Sequence, residues 1–275
     1  MSLLDFSDQT IVVTGATSGI GRRTAQLLIE NGANLIALDR DEPDFPVFRF
    51  VRADLSDPES IARAVGSLKS IVINGLANIA GVPGTLPDEV VWRVNYLGLK
   101  AITAGLVPQM PKGSSIVNLA SMAGSAWRER AAALCELTSI DDWDEAEAWI
   151  KAHPEMSDQA YRKFKEAVVV WTLGTANALE RRTGIRMNCV SPGPVQTPIL
   201  EDFRKSMGEA HVADIIHRTG RAATPDDIAP VVLFLLSKAS GWIVGADIPT
   251  EGGLTSSRFA DTVKSYSDQN ARSEV

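Results

Sequence analysis

Short apolar runs alternate along the chain with longer segments in which apolar residues recur at every third or fourth position. The short runs predict buried strands and the longer segments predict helices. The predicted strands cover residues 10–14, 34–38, 48–52, 70–78, 115–120, 186–190 and 245–248. The predicted helices cover residues 19–31, 57–68, 87–109, 161–183 and 224–236. Strands without polar alternation, separated by helices, indicate a parallel sheet covered on both faces. The expected fold is therefore α/β, with a doubly wound parallel sheet of the Rossmann type.

Two segments depart from this alternation. Residues 126–157 form an insert between the strand at 115–120 and the helix at 161–183, with eight acidic and three basic residues. Apolar residues in the insert recur in places at helical spacing, which predicts one or two amphipathic helices. Residues 255–275 are a polar tail that we expect to be frayed or laid on a partner. We interpret residues 1–275 as one domain that carries both segments.

Composition narrows the class of protein. Charged residues make up 22% of the 275 residues and the mean hydropathy is +0.01, values typical of a soluble globular chain. The net charge of −7 without a basic run argues against a nucleic-acid partner. Cys135 and Cys189 are expected to be buried, and no metal-binding spacing is present. No apolar run approaches the ~18 residues that span a membrane, and the N-terminus lacks a signal-peptide pattern, so we expect a cytoplasmic protein.

A glycine-rich turn joins the first predicted strand to the first predicted helix. Glycines let the backbone approach a pyrophosphate, and the following helix offers free N–H groups and the positive end of its dipole. This strand–turn–helix context favours a dinucleotide site over a tight turn alone. The candidate cofactor-binding residues of the turn are Gly15, Thr17, Ser18, Gly19, Ile20 and Gly21.

Asp39 ends the second predicted strand, 18 residues after Gly21. A carboxylate there can accept both ribose hydroxyls of an adenosine and repels a 2′-phosphate, which favours NAD over NADP. A solvated turn aspartate is the other interpretation, and the neighbouring Arg40 leaves NADP open. Further candidate cofactor-binding residues follow the third and fourth strands, at the edge where doubly wound sheets bind ligands. They are Asp54, Leu55, Asn78, Ala80 and Gly81.

Two tyrosine–lysine pairs have a spacing of four residues, which places each pair on one face of a helix. Tyr161 and Lys165 lie at the start of a predicted helix, at the carboxyl edge of the sheet. Tyr96 and Lys100 lie about nine residues into theirs, where packing against the core or a subunit is expected. Position therefore favours Tyr161 and Lys165 as the functional pair.

At this point the sequence resembles the short-chain dehydrogenase/reductase family over about residues 8–253. In the long gap between Ser121 and Tyr161 the sequence is similar to the bacterial subgroup of 3α-hydroxysteroid dehydrogenase/carbonyl reductases and coniferyl-alcohol dehydrogenases. The motifs that carry the resemblance are the glycine-rich turn, Asn78-Ile79-Ala80-Gly81, Asn95, Ser121, Tyr161 with Lys165, and Pro192-Gly193-Pro194-Val195-Gln196-Thr197.

The resemblance implies an NAD-dependent oxidoreductase that interconverts a bulky alcohol and its aldehyde or ketone. It implies that Tyr161 is the acid–base group, that Lys165 binds the nicotinamide ribose, and that Ser121 holds the substrate oxygen. Asn95 would position a water that leads protons to Lys165. A free tyrosine has a pKa near 10, so Tyr161 needs nearby positive charge to work near neutrality. The remaining implied cofactor-binding residues are Pro192, Gly193, Val195 and Thr197.

Several departures and alternatives accompany the resemblance. Ile79, Phe164 and Glu251 replace the family's usual Asn, Ser and Asp, which we expect to alter packing rather than chemistry. A nucleotide-binding regulator without catalysis is the rival class, and the intact catalytic set argues against it. A homo-oligomer, dimer or tetramer, is implied, through the helices at 87–109 and 161–183. The three histidines, His153, His211 and His217, have no role in this mechanism and are expected to be solvated.

The insert provides the hypothesis about substrate. It follows Ser121 and ends before Tyr161, so both of its ends lie at the catalytic edge of the sheet. Flat aromatic walls suit a phenylpropanoid or a steroid, and Trp127, Trp143 and Trp149 are therefore candidate substrate-binding residues. The alternative is that these tryptophans only fix the insert to the sheet or a subunit. The eight carboxylates of the insert are expected to face solvent and to disfavour anionic substrates.

Overall fold

Seven parallel strands form one sheet in the computed structural model, which describes residues 4–273 of the chain. In chain order the strands are β1 (Thr10–Thr14), β2 (Asn34–Asp39), β3 (Arg49–Arg52), β4 (Gly75–Asn78), β5 (Ser115–Leu119), β6 (Arg186–Pro192) and β7 (Asp247–Thr250). In space they follow the order β3-β2-β1-β4-β5-β6-β7. The strand order reverses between β1 and β4, which opens a crevice at their carboxyl ends. The predicted doubly wound sheet is confirmed.

Helices cover both faces of the sheet. They are α1 (Gly19–Glu30), α2 (Pro58–Leu68), α3 (Asp88–Trp92), α4 (Leu99–Leu106), α5 (Ala131–Ser139), α6 (Trp143–Ala152), α7 (Ala160–Thr183), α8 (Leu200–Met207), α9 (Glu209–Thr219), α10 (Pro225–Leu236) and α11 (Leu254–Ser273). No helix within residues 4–273 is long and apolar enough to cross a membrane.

The core has two halves, one on each face of the sheet. Side chains of β1 alternate between them, because successive strand residues point to opposite faces. Val12 packs with residues of α2, α3, α4 and α7, whereas Ile11 and Val13 pack with residues of α1 and α10. Burial on both faces explains why these strands read as continuous apolar runs.

Several predicted elements have different bounds in the structure. The strand predicted at 70–78 begins only at Gly75, and the side-chain oxygen of Asn74, just before it, accepts the Thr10 N–H at 2.9 Å. The helix predicted at 87–109 contains a π-helical segment, Arg93–Gly98, between α3 and α4. The last strand starts two residues late, at Asp247, after Gly245 adopts a left-handed conformation with φ +69°.

The C-terminal region is more helical than the sequence predicted. Helices α8 and α9 occupy a stretch in which no element was predicted, and α11 replaces the expected frayed tail up to residue 273. Arg218 of α9 donates to Asp261 of α11 at 2.6 Å and to Ser257 at 3.4 Å. This contact ties the polar helix to the domain, and the last two residues of the predicted tail lie outside the described residues.

The insert forms α5 and α6, which confirms the prediction of amphipathic helices. Leu134, Leu137 and Ile150 are fully buried in the core half that contains α7. Seven of its eight carboxylates are exposed, but Glu147 is buried and accepts from Arg93 at 2.8 Å, so the expectation that all eight face solvent is wrong. Cys135 is exposed on α5, against expectation, whereas Cys189 is buried in β6.

Candidate active site

The glycine-rich turn lies where β1 ends and α1 begins. Gly15 has φ +70°, a conformation that side chains other than glycine's rarely adopt. A Cβ on Gly21 would lie 2.0 Å from the Gly15 carbonyl oxygen, so the turn can close only with glycine there. Ser18 precedes α1, and its side chain caps no backbone N–H of that helix. The first N–H groups of a helix have no partner within it, so the turn presents donors to an anionic ligand.

Asp39 binds the same turn from the end of β2. Its Oδ2 accepts hydrogen bonds from the Thr17 N–H at 3.0 Å and from the Thr17 hydroxyl at 2.8 Å. Its Oδ1 accepts from the Arg40 N–H at 2.7 Å. The carboxylate is thereby fixed beside the glycine-rich turn.

Ser121, Tyr161 and Lys165 meet at the carboxyl end of β5. Tyr161 and Lys165 are in the first two turns of α7, which follows Gln159 in a left-handed conformation with φ 56°. The Tyr161 hydroxyl is hydrogen-bonded to Ser121. Lys165 Nζ lies 5.8 Å from the centre of the Tyr161 ring and donates to the Leu119 carbonyl at 2.6 Å. The structure thus brings together the predicted acid–base tyrosine, its lysine and the serine.

Burial dominates the electrostatics of this group. It raises the pKa of Tyr161 to about 12, although the hydrogen bond with Ser121 acts in the opposite direction. It lowers the pKa of Lys165 to about 8, because the charged ammonium loses hydration. The phenol is therefore protonated at neutral pH, and proton transfer from it requires additional positive charge nearby.

Asn95 lies in the π-helical segment, beside the same group. Its side chain is fully buried and pairs with the backbone of Val82, accepting from the N–H at 2.8 Å and donating to the carbonyl at 2.9 Å. A Cβ on Gly81 would lie 3.1 Å from Asn95 Oδ1 and 3.7 Å from Lys165 Nζ. Asn95 and Lys165 therefore converge on Gly81, and π-helical turns often occur at functional sites.

Two cavities meet at the catalytic group. The first has a volume of about 140 Å³ and runs from the glycine-rich turn to Lys165, past Pro192, Gly193, Val195 and Thr197. The second has a volume of about 590 Å³ and lies between α7, α9 and α11. Ser121 and Tyr161 line both, and so do Pro192 and Gly193. A ligand in each cavity would therefore reach the same two hydroxyl groups.

Comparison with known proteins assigns the family. Residues 9–133 match the family model described as short chain dehydrogenase, and residues 149–255 match one described as enoyl-(acyl carrier protein) reductase. The coniferyl-alcohol dehydrogenase of Pseudomonas sp. strain HR199 is 43% identical over 253 residues, which cover 92% of this chain and 99% of that one. This chain belongs to the short-chain dehydrogenase family.

Other relatives of this short-chain dehydrogenase agree with that assignment. The 3-alpha-hydroxysteroid dehydrogenase/carbonyl reductase of Comamonas testosteroni is 27% identical over 257 residues, covering 89% of this chain and 95% of that one. The crystal structure of 3-alpha-hydroxysteroid dehydrogenase from Pseudomonas sp. B-0831, complexed with NADH, matches with a TM-score of 0.76 and 28% identity, covering 90% and 96% of the two chains. The chain is thus an oxidoreductase that uses a nicotinamide cofactor, and the predicted family and enzyme class are confirmed.

The residues that line the first cavity suit such a cofactor. The helix N–H groups at its glycine-rich end would hold the phosphates, and the hydroxyl of Tyr161 and the amino group of Lys165 lie at its other end. Predicted cofactor-binding residues line the first cavity at both of its ends. They are Gly15, Ser18, Gly19, Ile20, Gly21, Ala80, Gly81, Tyr161, Lys165, Pro192, Gly193, Val195 and Thr197.

Some predicted cofactor-binding residues do not line the first cavity, so their contacts with a cofactor stay predictions; they are Thr17, Asp39, Asp54, Leu55 and Asn78. Asn78 is almost fully buried and donates to Thr103 and to Asn118, both at 2.8 Å, so it braces β4 and β5 beneath the cleft. Leu55 packs in the core. Both side chains are buried, which strand-end position alone does not reveal. Asp54 accepts from Ser56 at 2.8 Å and lies outside the linings of both cavities.

Tyr96 and Lys100 have the structural role that their position predicted. Tyr96 is fully buried, and its ring centre lies 6.1 Å from that of Phe164. Phe164 stands where the family usually has serine and fills this part of the core. Lys100 donates to the carbonyl oxygens of Thr138 and Ile140 at the end of α5. Lys100 therefore attaches the insert to the domain.

The three tryptophans of the insert line neither of these two cavities, so the aromatic wall finds no support in the linings and stays a prediction. Trp143 donates to Glu147 at 3.2 Å, and Trp149 donates to Glu136 at 2.9 Å and stacks on His153. Trp127 is partly buried against the core. The buried leucines of α5 and the ion pair of Arg130 with Glu166 fix the insert to α7.

A substitution at Trp149 distinguishes the two roles of the insert. We expect Trp149→Ala to reduce the free energy of unfolding by about 2 kcal/mol, since a partly buried ring and its stacking are lost. The kcat/KM values for a bulky and a small alcohol should fall equally, or not at all. Thermal denaturation and kinetics on both substrates test this, with Trp149→Phe as the control that keeps a ring. A fall in kcat/KM confined to the bulky alcohol would support the predicted aromatic wall.

Sequence analysis missed much of the second cavity. His211, Val212 and Ile215 of α9 line it, together with Leu254 and Arg258 of α11. The expectation that His211 is merely solvated is therefore incomplete, because its exposed ring borders the cavity. Apolar residues at helical spacing between Gly208 and Gly220 were the available signal for α9.

Proposed function

We propose that this protein is an NAD-dependent alcohol dehydrogenase that oxidises a bulky, mostly apolar alcohol to its aldehyde or ketone. The observation that carries the proposal is the sharing of Ser121 and Tyr161 by the two cavities. One cavity ends in a glycine-rich turn that suits a dinucleotide, and the other is large enough for a ring-containing substrate. Their common boundary holds the groups that alcohol oxidation requires.

Each catalytic residue has a distinct role in this proposal. Ser121 donates a hydrogen bond to the substrate oxygen and keeps it beside Tyr161. Tyr161 accepts the hydroxyl proton during oxidation and returns it during reduction. Lys165, whose Nζ lies 5.8 Å from the centre of the Tyr161 ring, stabilises the phenolate by its charge. Asn95 fixes the loop at Val82 and Gly81 around the lysine. The bound nicotinamide supplies the hydride acceptor.

We propose NAD as the cofactor because Asp39 is held at the glycine-rich turn by Thr17. A carboxylate there should disfavour the 2′-phosphate of NADP by at least about tenfold in affinity. We expect kcat/KM to be at least about tenfold higher with NAD than with NADP, and Asp39→Ala to narrow the ratio. Initial rates with both cofactors test this. Equal kcat/KM values in the unmodified protein would contradict the assignment.

For the substrate, we propose an aromatic alcohol of the coniferyl type, in line with the relative that shares 43% of its residues. A 3α-hydroxysteroid is the second candidate, because the cavity of about 590 Å³ and the relatives that act on such steroids favour it. Absorbance at 340 nm with NAD and either alcohol separates the two. A higher kcat/KM for the steroid would overturn the first choice.

We also propose that the enzyme works in the cytoplasm as a homo-oligomer. The free cysteines and the family resemblance support these proposals. Light scattering after size-exclusion chromatography would give the number of subunits, and a monomeric mass at micromolar concentration would contradict the second proposal.

A further inference from the structure

The lining of the large cavity combines polar, apolar and charged side chains. One end carries the hydroxyl groups of Ser121 and Tyr161, and apolar side chains of Met122, Val212 and Leu254 line its length. Two arginines, Arg162 and Arg258, share the same lining with a single carboxylate, Asp88. The cavity therefore contains more positive than negative side chains.

The wall formed by α9 and α11 repeats one arrangement on both helices. Leu254 is buried, and Arg258, one turn further along α11, is exposed. Ile215 is buried, and His211, one turn earlier on α9, is exposed. Residues four apart lie on the same helix face, so each helix presents an apolar residue at depth and a nitrogen-containing side chain at the rim.

Arg258 has no carboxylate partner among the residues that the structure describes. Asp261, the acidic residue one turn further along α11, is bound at 2.6 Å by Arg218 of α9. Arg162 lies 3.4 Å from Glu166, but Arg130 already holds Glu166 through two shorter bonds of 2.7 and 2.6 Å. Asp88 is in ion-pairing contact with neither arginine of the lining. Both guanidinium groups can therefore bind an added anion.

We infer that, besides the neutral alcohols proposed above, the site accepts alcohols that carry a carboxylate at the end opposite the carbinol, bound at the rim by Arg258 with help from Arg162 and His211. This inference rests on the proposed alcohol dehydrogenase activity and names a further chemical class of its substrates. Guanidinium groups match carboxylates in geometry and form charge-assisted hydrogen bonds. The acidic insert does not oppose this, since none of its carboxylates lines the cavity. The inference differs from the expectation that the insert disfavours anionic substrates, and the experiment below distinguishes the two.

A matched set of alcohols tests the inference. We expect kcat/KM with NAD to be about tenfold higher for 4-(hydroxymethyl)benzoate than for 4-(hydroxymethyl)benzamide, which has the same shape without the charge. Arg258→Met should remove this preference by lowering kcat/KM for the carboxylate and not for the amide. Arg258→Lys should retain part of the preference. Arg63→Met, an exposed substitution on α2, is the matched control and should change nothing.

Each outcome bears on a different claim. Equal kcat/KM for the carboxylate and the amide in the unmodified protein, with both oxidised, would overturn the inference and leave the proposed activity standing. A preference that survives Arg258→Met would also overturn it. If neither these alcohols nor coniferyl alcohol nor a 3α-hydroxysteroid reduces NAD, the proposed activity itself fails, and the inference falls with it.

Discussion

Replacing Tyr161 by phenylalanine should lower kcat by about 10³-fold or more while leaving NAD affinity nearly unchanged. Only the hydroxyl is removed, and that hydroxyl is the acid–base group at the boundary of both cavities. The ring remains to pack beside Lys165, so the cofactor cavity should keep its shape. Initial rates at 340 nm give kcat, and fluorescence titration with NADH gives the affinity.

Tyr96→Phe is the matched control, because Tyr96 has the same spacing to a lysine. Its hydroxyl is buried without a hydrogen-bond partner among the described residues, so its removal should cost neither activity nor stability. A variant pair with the opposite behaviour, inactive at Tyr96 and active at Tyr161, would show that the functional pair has been assigned wrongly.

Replacing Lys165 by methionine should have the second-largest effect. It should lower kcat by about 10²-fold and reduce the affinity for the cofactor. The ammonium is the positive charge beside the phenol, whose pKa burial raises to about 12. Without that charge the phenol is harder to ionise, so the rise of kcat/KM for oxidation with pH should move to higher pH. The pH profile thereby separates loss of charge from simple misfolding.

Lys100→Met is the control for Lys165. Lys100 donates to the carbonyl oxygens of Thr138 and Ile140, so its loss should lower the melting temperature and leave the pH profile in place. An unchanged pH profile in Lys165→Met would mean that the lysine does not act on Tyr161.

Local patterns in the sequence predicted the elements that position the cofactor. Continuous apolar runs identified the buried parallel strands, and the glycine-rich turn could be located because Gly15 and Gly21 have conformational and steric requirements that few other residues meet. Tyr161 could be separated from Tyr96 because the edge of a doubly wound sheet is known from strand order alone.

The substrate cavity could not be predicted in the same way. Its far wall comes from α9 and α11, which lie more than 80 residues after Ser121 in the chain and meet it only through the tertiary fold. The tryptophans of the insert were close to the catalytic residues in sequence, yet they line neither cavity, and Leu134 and Leu137 bury α5 against α7. Proximity along the chain was a poor guide where a buried apolar face determined how the segment docks.

Transfer of deuterium tests the central claim most directly. Coniferyl alcohol with deuterium at the carbinol carbon is incubated with the protein and NAD, and the reduced cofactor is analysed by mass spectrometry. We expect one deuterium in the NADH for each aldehyde formed, and none with Tyr161→Phe. Binding of NAD without any deuterium transfer, from this alcohol or from a deuterated 3α-hydroxysteroid, would contradict that claim and favour a nucleotide-binding protein without catalysis.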